Sequence, residues 1–358
     1  MTRSAQSQRP EASLPPAAEH PFLLACRREE SPFTPVWLMR QAGRYLPEYR
    51  RVRERLSFLE LCGRSDLAAE VTVTAAERLG VDAAIIFADI LLPLVPMGVG
   101  LRYEKGDGPR IEQPIRMAAD VDRLTPVSVE ESLAFVAETV RLSRAGLNGK
   151  VPLIGFAGAP FTVASYLIEG GSSRMHVTTK VLMQRDALTW QRLMERIVDV
   201  TADYLNMQIA AGVDAVQLFD SWVGCLSPRD YQRHVLPYTK RLISALRPGV
   251  PVIHFGTMTG SLLELMRDAG GDVVGLDWRV EIDEAWQRLG PEVGVQGNLD
   301  PALLFADAAE IRRAVREMLA RAGSRPGYIA NLGHGVLPET PVDNVLAFVD
   351  AVHEYGRR

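Results

Sequence analysis

Ala215-Val216-Gln217-Leu218-Phe219-Asp220-Ser221, followed shortly by Ser227-Pro228-Arg229-Asp230, decides the fold. The run over 215–219 is apolar apart from one amide, the pattern of a parallel strand buried on both faces. It is preceded by a long amphipathic stretch, Leu188 to Ala211, that stops at Gly212, a helix terminator. It is followed by a helix start. Ser227 offers a cap, Pro228 fits the first helical position and Asp230 adds an acid in the first turn. Helix, buried strand and helix in succession make a βα unit, with Asp220 and Ser221 at the end of its strand.

The unit repeats along the chain. Candidate strands are Val36–Met39, Ala83–Ala88, Pro152–Phe156, Ala215–Phe219, Pro251–Phe255, Val273–Leu276, Val293–Gln296 and Tyr328–Asn331, eight in all. Asp300-Pro301 and Thr340-Pro341-Val342-Asp343 repeat the helix-start chemistry. Eight alternations predict an α/β chain folded as a single (β/α)8 TIM barrel, with its site at the C-terminal ends of the strands. A doubly wound open sheet is the competing arrangement. It would need a glycine-rich phosphate loop, and Gly155-Phe156-Ala157-Gly158 matches neither GxGxxG nor a P-loop. Residues 101–112, with Gly106-Asp107-Gly108 at the centre, read as a small hairpin inserted after strand two.

Composition sets the frame. The chain has 358 residues, of which 47% are apolar, enough for one barrel-sized core. A formal net charge of −4 argues against general nucleic-acid binding. The three cysteines, Cys26, Cys62 and Cys225, are widely spaced and fit a reducing cytoplasm better than a disulfide framework. Residues 1–20 lack an apolar core segment and read as a disordered tail, leaving 21–358 as the barrel domain. The most apolar stretch, Ala83 to Gly100, is interrupted by Asp89, Pro93 and Pro96, so no membrane span is expected.

The barrel reading collects specific residues at one end. Strand one ends at Met39-Arg40-Gln41-Ala42-Gly43-Arg44, two guanidiniums about a backbone-permissive turn. Each guanidinium is a planar fork suited to a carboxylate, so the segment predicts an acidic ligand with several carboxylates. Arg51, Arg53 and Arg55 fit a solvated helix face. Strand two ends at Asp89, which is either a helix cap or a charge placed for use, because an acid between apolar runs is costly otherwise. Strand three leads to Tyr166, which by position alone reads first as a core tyrosine with a satisfied hydroxyl. Strand four ends at Asp220-Ser221, which lacks the GxSxG elbow of a serine nucleophile. His254 reads as a hydrogen-bonded core histidine. Asp277 and Asn298 follow strands six and seven. His334 lies between Gly333 and Gly335, which permit close backbone approach and an accessible imidazole.

Cofactor chemistry finds little footing. The four lysines, Lys105, Lys150, Lys180 and Lys240, fall away from the strand ends, so a Schiff base or pyridoxal phosphate has no obvious anchor. Acids and histidines at the strand ends could supply metal ligands, yet no HxH or HExxH pattern pairs them.

Several separated blocks resemble the uroporphyrinogen decarboxylase family. They are Pro35 to Arg50, Phe87 to Leu91, Gly155 to Thr162, Tyr166 to Gly171, Phe219 to Trp222, Gln296 to Asp300 and Asn331 to Gly335, together spanning about residue 20 to the C-terminus. Phe161 stands where many relatives carry Trp, and Asp220 where Glu is common. The resemblance implies a cytoplasmic, homodimeric (β/α)8 barrel that works without metal or organic cofactor. It implies conversion of the four acetate side chains of uroporphyrinogen III to methyl groups, giving coproporphyrinogen III. It also implies catalysis by Asp89 and Arg40 and substrate contacts from Arg40, Gln41, Ala42, Gly43, Arg44, Asp89, Tyr166, Ser221 and His334. Met39, Phe161 and Phe219 are read as an apolar floor. The corrinoid methyltransferases of the same superfamily hold zinc through His-x-Cys, and His254-Phe255-Gly256 lacks that cysteine.

Overall fold

Parallel strands need both faces covered, and the alternating helices supply one cover while the curl of the sheet supplies the other. A computed structural model describes residues 19–104 and 108–358. Its strands are β1 (Ala84–Ile85), β2 (Leu101–Glu104), β3 (Gly108–Ile111), β4 (Leu153–Gly158), β5 (Ala215–Asp220), β6 (Val252–Gly256), β7 (Val273–Gly275), β8 (Gly294–Leu299) and β9 (Tyr328–Leu332). Strands β1 and β4 to β9 form one seven-stranded sheet in chain order, every described pair parallel. The sheet is curled. The Gln296 amide on β8 donates to Gln217 on β5 at 3.0 Å, although these strands are not neighbours, so their inner faces meet. Phe156, Phe219 and Phe255 add an edge-to-face cluster on that inner face.

Helix signals in the sequence have matching elements. The long amphipathic stretch is a helix over Ala187–Ala211, closed by Gly212 at φ 113°, a left-handed conformation. Ser227 caps the helix Pro228–His234 by accepting the Asp230 N–H at 3.1 Å. Asp300 caps a short 3-10 turn over Pro301–Phe305. The final helix, Val342–Tyr355, begins after Pro341 with no side-chain cap.

Two expected strands differ. Val36–Met39 is not a strand; it makes one parallel bridge, Val36 to Ala330. On its other side the Asp82 N–H donates to the Val36 carbonyl at 2.7 Å, but the Val36 N–H goes to the Asp82 carboxylate at 2.8 Å. A side chain therefore replaces the ladder there. Arg40, at φ 61°, then turns the chain out of extension. Ala83–Ala88 shortens to the two residues of β1, because the Phe87 N–H is taken by the Thr72 hydroxyl at 2.8 Å instead of a neighbouring strand. Of the expected hairpin, β2 and β3 pair antiparallel as a separate sheet, and residues 105–107 lie outside the described residues. Most of the expected N-terminal tail, residues 1–18, also lies outside them.

Asp82 has a second partner, His353 of the last helix, with Nε2 2.9 Å from Oδ2. That hydrogen bond raises the His353 pKa above its ordinary 6.5, against the opposing effect of burial. A raised folded-state pKa stabilises below the unfolded value and the gain disappears as pH rises through the folded value. His353→Gln should therefore lower the unfolding free energy most at about pH 6 and least at about pH 9, by no more than about 1 kcal/mol for this partly exposed pair. A difference independent of pH, measured by calorimetry, would contradict this assignment.

Candidate active site

The site starts from a turn that the sequence makes unavoidable. Arg40 ends the extended segment, and a Cβ on Gly43 would lie 2.7 Å from the Arg40 carbonyl, so the turn closes only over glycine. The Tyr45 hydroxyl donates to the Gln41 carbonyl at 2.7 Å, and Arg50 donates to the carbonyls of Arg44 and Tyr45 at 3.2 and 3.3 Å. Arg50 is thus spent on the loop, while Arg40 and Arg44 form no ion pair among the described residues. Ala42 and Gly43 are half-buried between them. Gln41 is fully buried, with its amide oxygen 3.5 Å from the Leu38 N–H, which makes it a support of the turn.

Arg40 is open to water and still ringed by protein, the environment of a side chain in a concave mouth. That crowding lowers its pKa, Arg44 lowers it further, and Tyr166 and Asp89 oppose the shift. Asp89 is the acid of the mouth. One carboxylate oxygen accepts the Leu91 N–H at 2.7 Å, as a turn cap would. The Tyr103 hydroxyl on β2 also bonds the carboxylate. Burial raises the Asp89 pKa, and Tyr103, Leu91 and Arg40 each hold the rise in check. Asp89 thus closes a turn ahead of the 3-10 helix Leu92–Leu94, whose N-cap is Leu91 with no side-chain cap bond.

Tyr166, on the helix Pro160–Glu169, stands edge-on to Trp222 with ring centroids 5.7 Å apart and accepts a hydrogen bond from it. Burial, reinforced by Asp89, pushes its pKa up to about 12, so the hydroxyl remains a donor. Ser221 follows β5, and its carbonyl accepts the Thr257 hydroxyl at 2.5 Å. Its own hydroxyl bonds nothing else among the described residues.

His334 is bracketed by its glycines. A Cβ on Gly335 would lie 2.5 Å from Arg40 Cδ, and one on Gly333 would collide with the Trp278 backbone nitrogen. The segment therefore runs directly between the Arg40 stem and the chain at Trp278. Burial, then Arg40 and Arg279, pushes the imidazole down to about 4, leaving it neutral at neutral pH. Arg40, Arg44, Asp89, Tyr166 and His334 thus share one mouth.

Other strand-end residues lie behind the wall. Asp220 and His254 are fully buried and meet at 3.3 Å, with the Thr162 hydroxyl on Asp220 at 3.0 Å, in keeping with a core histidine. Asn298 donates to the carbonyls of Asp277 and Val280, at 2.9 and 2.6 Å. Phe161 is not part of an apolar floor: it is fully buried against Trp190, outside the sheet. Met39 is nearly buried and Phe219 partly open. Sequence reasoning missed Tyr103, Trp222 and Arg279. Tyr103 was hidden because nothing local says that the ribbon folds back over Asp89.

A cavity of about 270 Å³ borders the same loop at Ala42 and is lined further by Leu46, Glu48, Tyr49, Arg51, Glu70 and Thr74. Its two carboxylates against one guanidinium suit a polycarboxylate less well than the paired arginines of the mouth do. Among the described residues no three His, Cys, Asp or Glu side chains converge as a metal site, and no helix is long and apolar enough to cross a membrane.

Comparison with known proteins bears on the chain as a whole. The model of the family described as uroporphyrinogen decarboxylase (URO-D) matches residues 17–355. The uroporphyrinogen decarboxylase of Carboxydothermus hydrogenoformans is 55% identical over 334 residues, covering 93% of this chain and 95% of its own. That of Sorangium cellulosum is 56% identical over 337 residues, covering 94% and 96%. Among solved structures, a methyltransferase from Methanosarcina mazei superposes with a TM-score of 0.79 at 18% identity, covering 95% of this chain and 99% of its own. At that identity the likeness speaks for the fold alone.

The depressed His334 pKa is directly measurable. Its ring resonances should titrate near pH 4, well below the ordinary 6.5. In Arg40→Gln, which removes a nearby positive charge, the midpoint should rise. Titration at an ordinary value in the unaltered protein would show that the imidazole is not enclosed as described.

Proposed function

The chain belongs to the uroporphyrinogen decarboxylase family, and we propose from that membership and from the geometry of its mouth that it removes CO2 from the four acetate side chains of uroporphyrinogen III. It is a carboxy-lyase of porphyrin biosynthesis. The observation that carries the mechanistic reading is the placement of opposite charges in one mouth: Asp89, a half-buried carboxylate, and Arg40, a cation in no ion pair among the described residues.

Loss of CO2 leaves an electron pair on the side-chain carbon, so the reaction needs an electron sink. Protonation of the pyrrole carbon beside the acetate-bearing carbon turns the ring into an iminium-like cation. The C–CO2 bond then breaks, its electrons enter the ring, and protonation of the side-chain carbon with loss of the ring proton gives the methyl group. Asp89 accepts hydrogen bonds from pyrrole N–H groups and attracts the ring more strongly as it becomes cationic, so its stabilisation is differential. One preorganised contact of this kind contributes roughly 3 to 4 kcal/mol. Enzymes generally supply about 8 to 23 kcal/mol, so positioning must provide much of the remainder.

Arg40 provides part of that positioning by fixing the reacting acetate beside the ring, and Arg44 holds a second carboxylate. The loop backbone at Gln41, Ala42 and Gly43 shapes the contact. Tyr166, Ser221 and neutral His334 donate hydrogen bonds to further carboxylates without adding charge. The reading extends to a closed (β/α)8 barrel in which Val36 to Met39 occupies the eighth place, with the hairpin inserted after the second strand and the domain spanning 21–358. It also extends to a homodimer in the cytoplasm that uses no metal or organic cofactor.

Asp89→Asn should reduce kcat about 100-fold or more while changing KM by less than about tenfold. Near-normal turnover would remove Asp89 from the mechanism. Exhaustive chelation should leave activity intact; loss that zinc restores would overturn the metal-free reading. Sedimentation at working concentration should give a dimer, and a monomer there would contradict that part.

A further inference from the structure

Arg279 follows β7 and, like Tyr103 and Trp222, stands beside the mouth without a local signal in the sequence. Its guanidinium is fixed twice. Nη1 donates to Asp277 Oδ2 at 2.6 Å, and Cζ lies 3.9 Å from the centre of the Trp278 ring. Asp277 is itself immobilised: it is buried and accepts the backbone N–H groups of Met258 and Arg279, at 2.6 and 3.2 Å. The anchor therefore cannot swing away. Nε and Nη2 of Arg279 bond nothing among the described residues, and the side chain is 45% exposed.

Its position relative to His334 matters most. Gly333 packs on the backbone of Trp278, and Gly335 packs on the stem of Arg40. His334 accordingly has one arginine on each side, and the Trp278 ring meets its imidazole edge-on with centroids 6.5 Å apart. The bond to Asp277 uses one guanidinium nitrogen, and a counter-ion role alone accounts neither for the stacking on Trp278 nor for the two open nitrogens. A guanidinium held on an aromatic face with donors left open is instead preorganised for a ligand, having lost its freedom before binding.

The geometry points to Arg279 as a third carboxylate-binding guanidinium of the mouth, taking a peripheral carboxylate of the tetrapyrrole on the side of His334 away from Arg40. This rests on the reading of the substrate as uroporphyrinogen. Asp277 lies behind the guanidinium and orients it, so Asp277 is a positioning residue.

The test uses the full chain with uroporphyrinogen as substrate and uroporphyrin, its fluorescent and unreactive oxidised form, as binding probe. Arg279→Gln should raise KM about tenfold while kcat falls less than about threefold, the signature of lost uniform binding. Uroporphyrin affinity should weaken by a similar factor, and the His334 titration should move up. Arg279→Lys should recover only part of the affinity, because an ammonium lacks the planar fork. Unchanged KM and unchanged uroporphyrin affinity would overturn the proposal. So would a fall in kcat and thermal midpoint with affinity intact, which would reduce Arg279 to a strut for Asp277. A wild-type protein that binds uroporphyrin and leaves uroporphyrinogen intact would sink the functional reading, while the affinity loss in Arg279→Gln would still stand.

Discussion

Two opposite charges face one mouth without joining. Asp89 bonds the Leu91 N–H and the Tyr103 hydroxyl, and Arg40 feels its field and forms no ion pair among the described residues. A direct pair would neutralise both and leave nothing to attract a ligand. Held apart, the carboxylate can meet a ring that becomes cationic and the guanidinium can meet an acid attached to that ring. Burial raises the Asp89 pKa because the charge is poorly solvated when the site is empty. In the proposed mechanism, a cation arriving against it restores what burial removed, so the stabilisation grows along the reaction.

The fold maintains that separation by backbone packing more than by side-chain bonds. The chain between Gly333 and Gly335 lies against Trp278 on one side and Arg40 on the other, and neither approach tolerates a Cβ. The left-handed turn at Arg40 depends on Gly43 in the same way. Arg40 therefore belongs both to the first loop and to the loop after β9, the two places where the curled sheet comes closest to closing. The Val36–Ala330 bridge lies directly below. The same close packing lowers the His334 pKa and leaves the imidazole neutral at neutral pH.

Much of this was legible in the sequence, and for identifiable reasons. Apolar runs such as 215–219 announce buried parallel strands, and Ser227-Pro228 and Gly212 announce helix ends, because these signals are local. The same locality explains the failures. Val36–Met39 carries a strand pattern, yet the Asp82 carboxylate takes the bond a strand would make, from a partner 46 residues away. Ala83–Ala88 is cut short by Thr72 in the preceding helix. At the site, Arg40, Asp89, Tyr166 and His334 follow from strand-end position. Tyr103 and Arg279 do not, because the ribbon's fold over Asp89 and the cradle of Asp277 and Trp278 are tertiary. Phe161 was misplaced because helix periodicity alone does not say which side of a strand-end loop faces the mouth.

The central claim is that Asp89 recognises positive charge on the ring and not the ring as such. Binding of two unreactive polycarboxylates separates these, one with a neutral pyrrole and one with a ring that carries fixed positive charge. The account predicts that Asp89→Asn weakens the cationic compound about 100-fold and the neutral one by less than about tenfold. Equal losses for both would mean that Asp89 only shapes the pocket, and the account would be wrong.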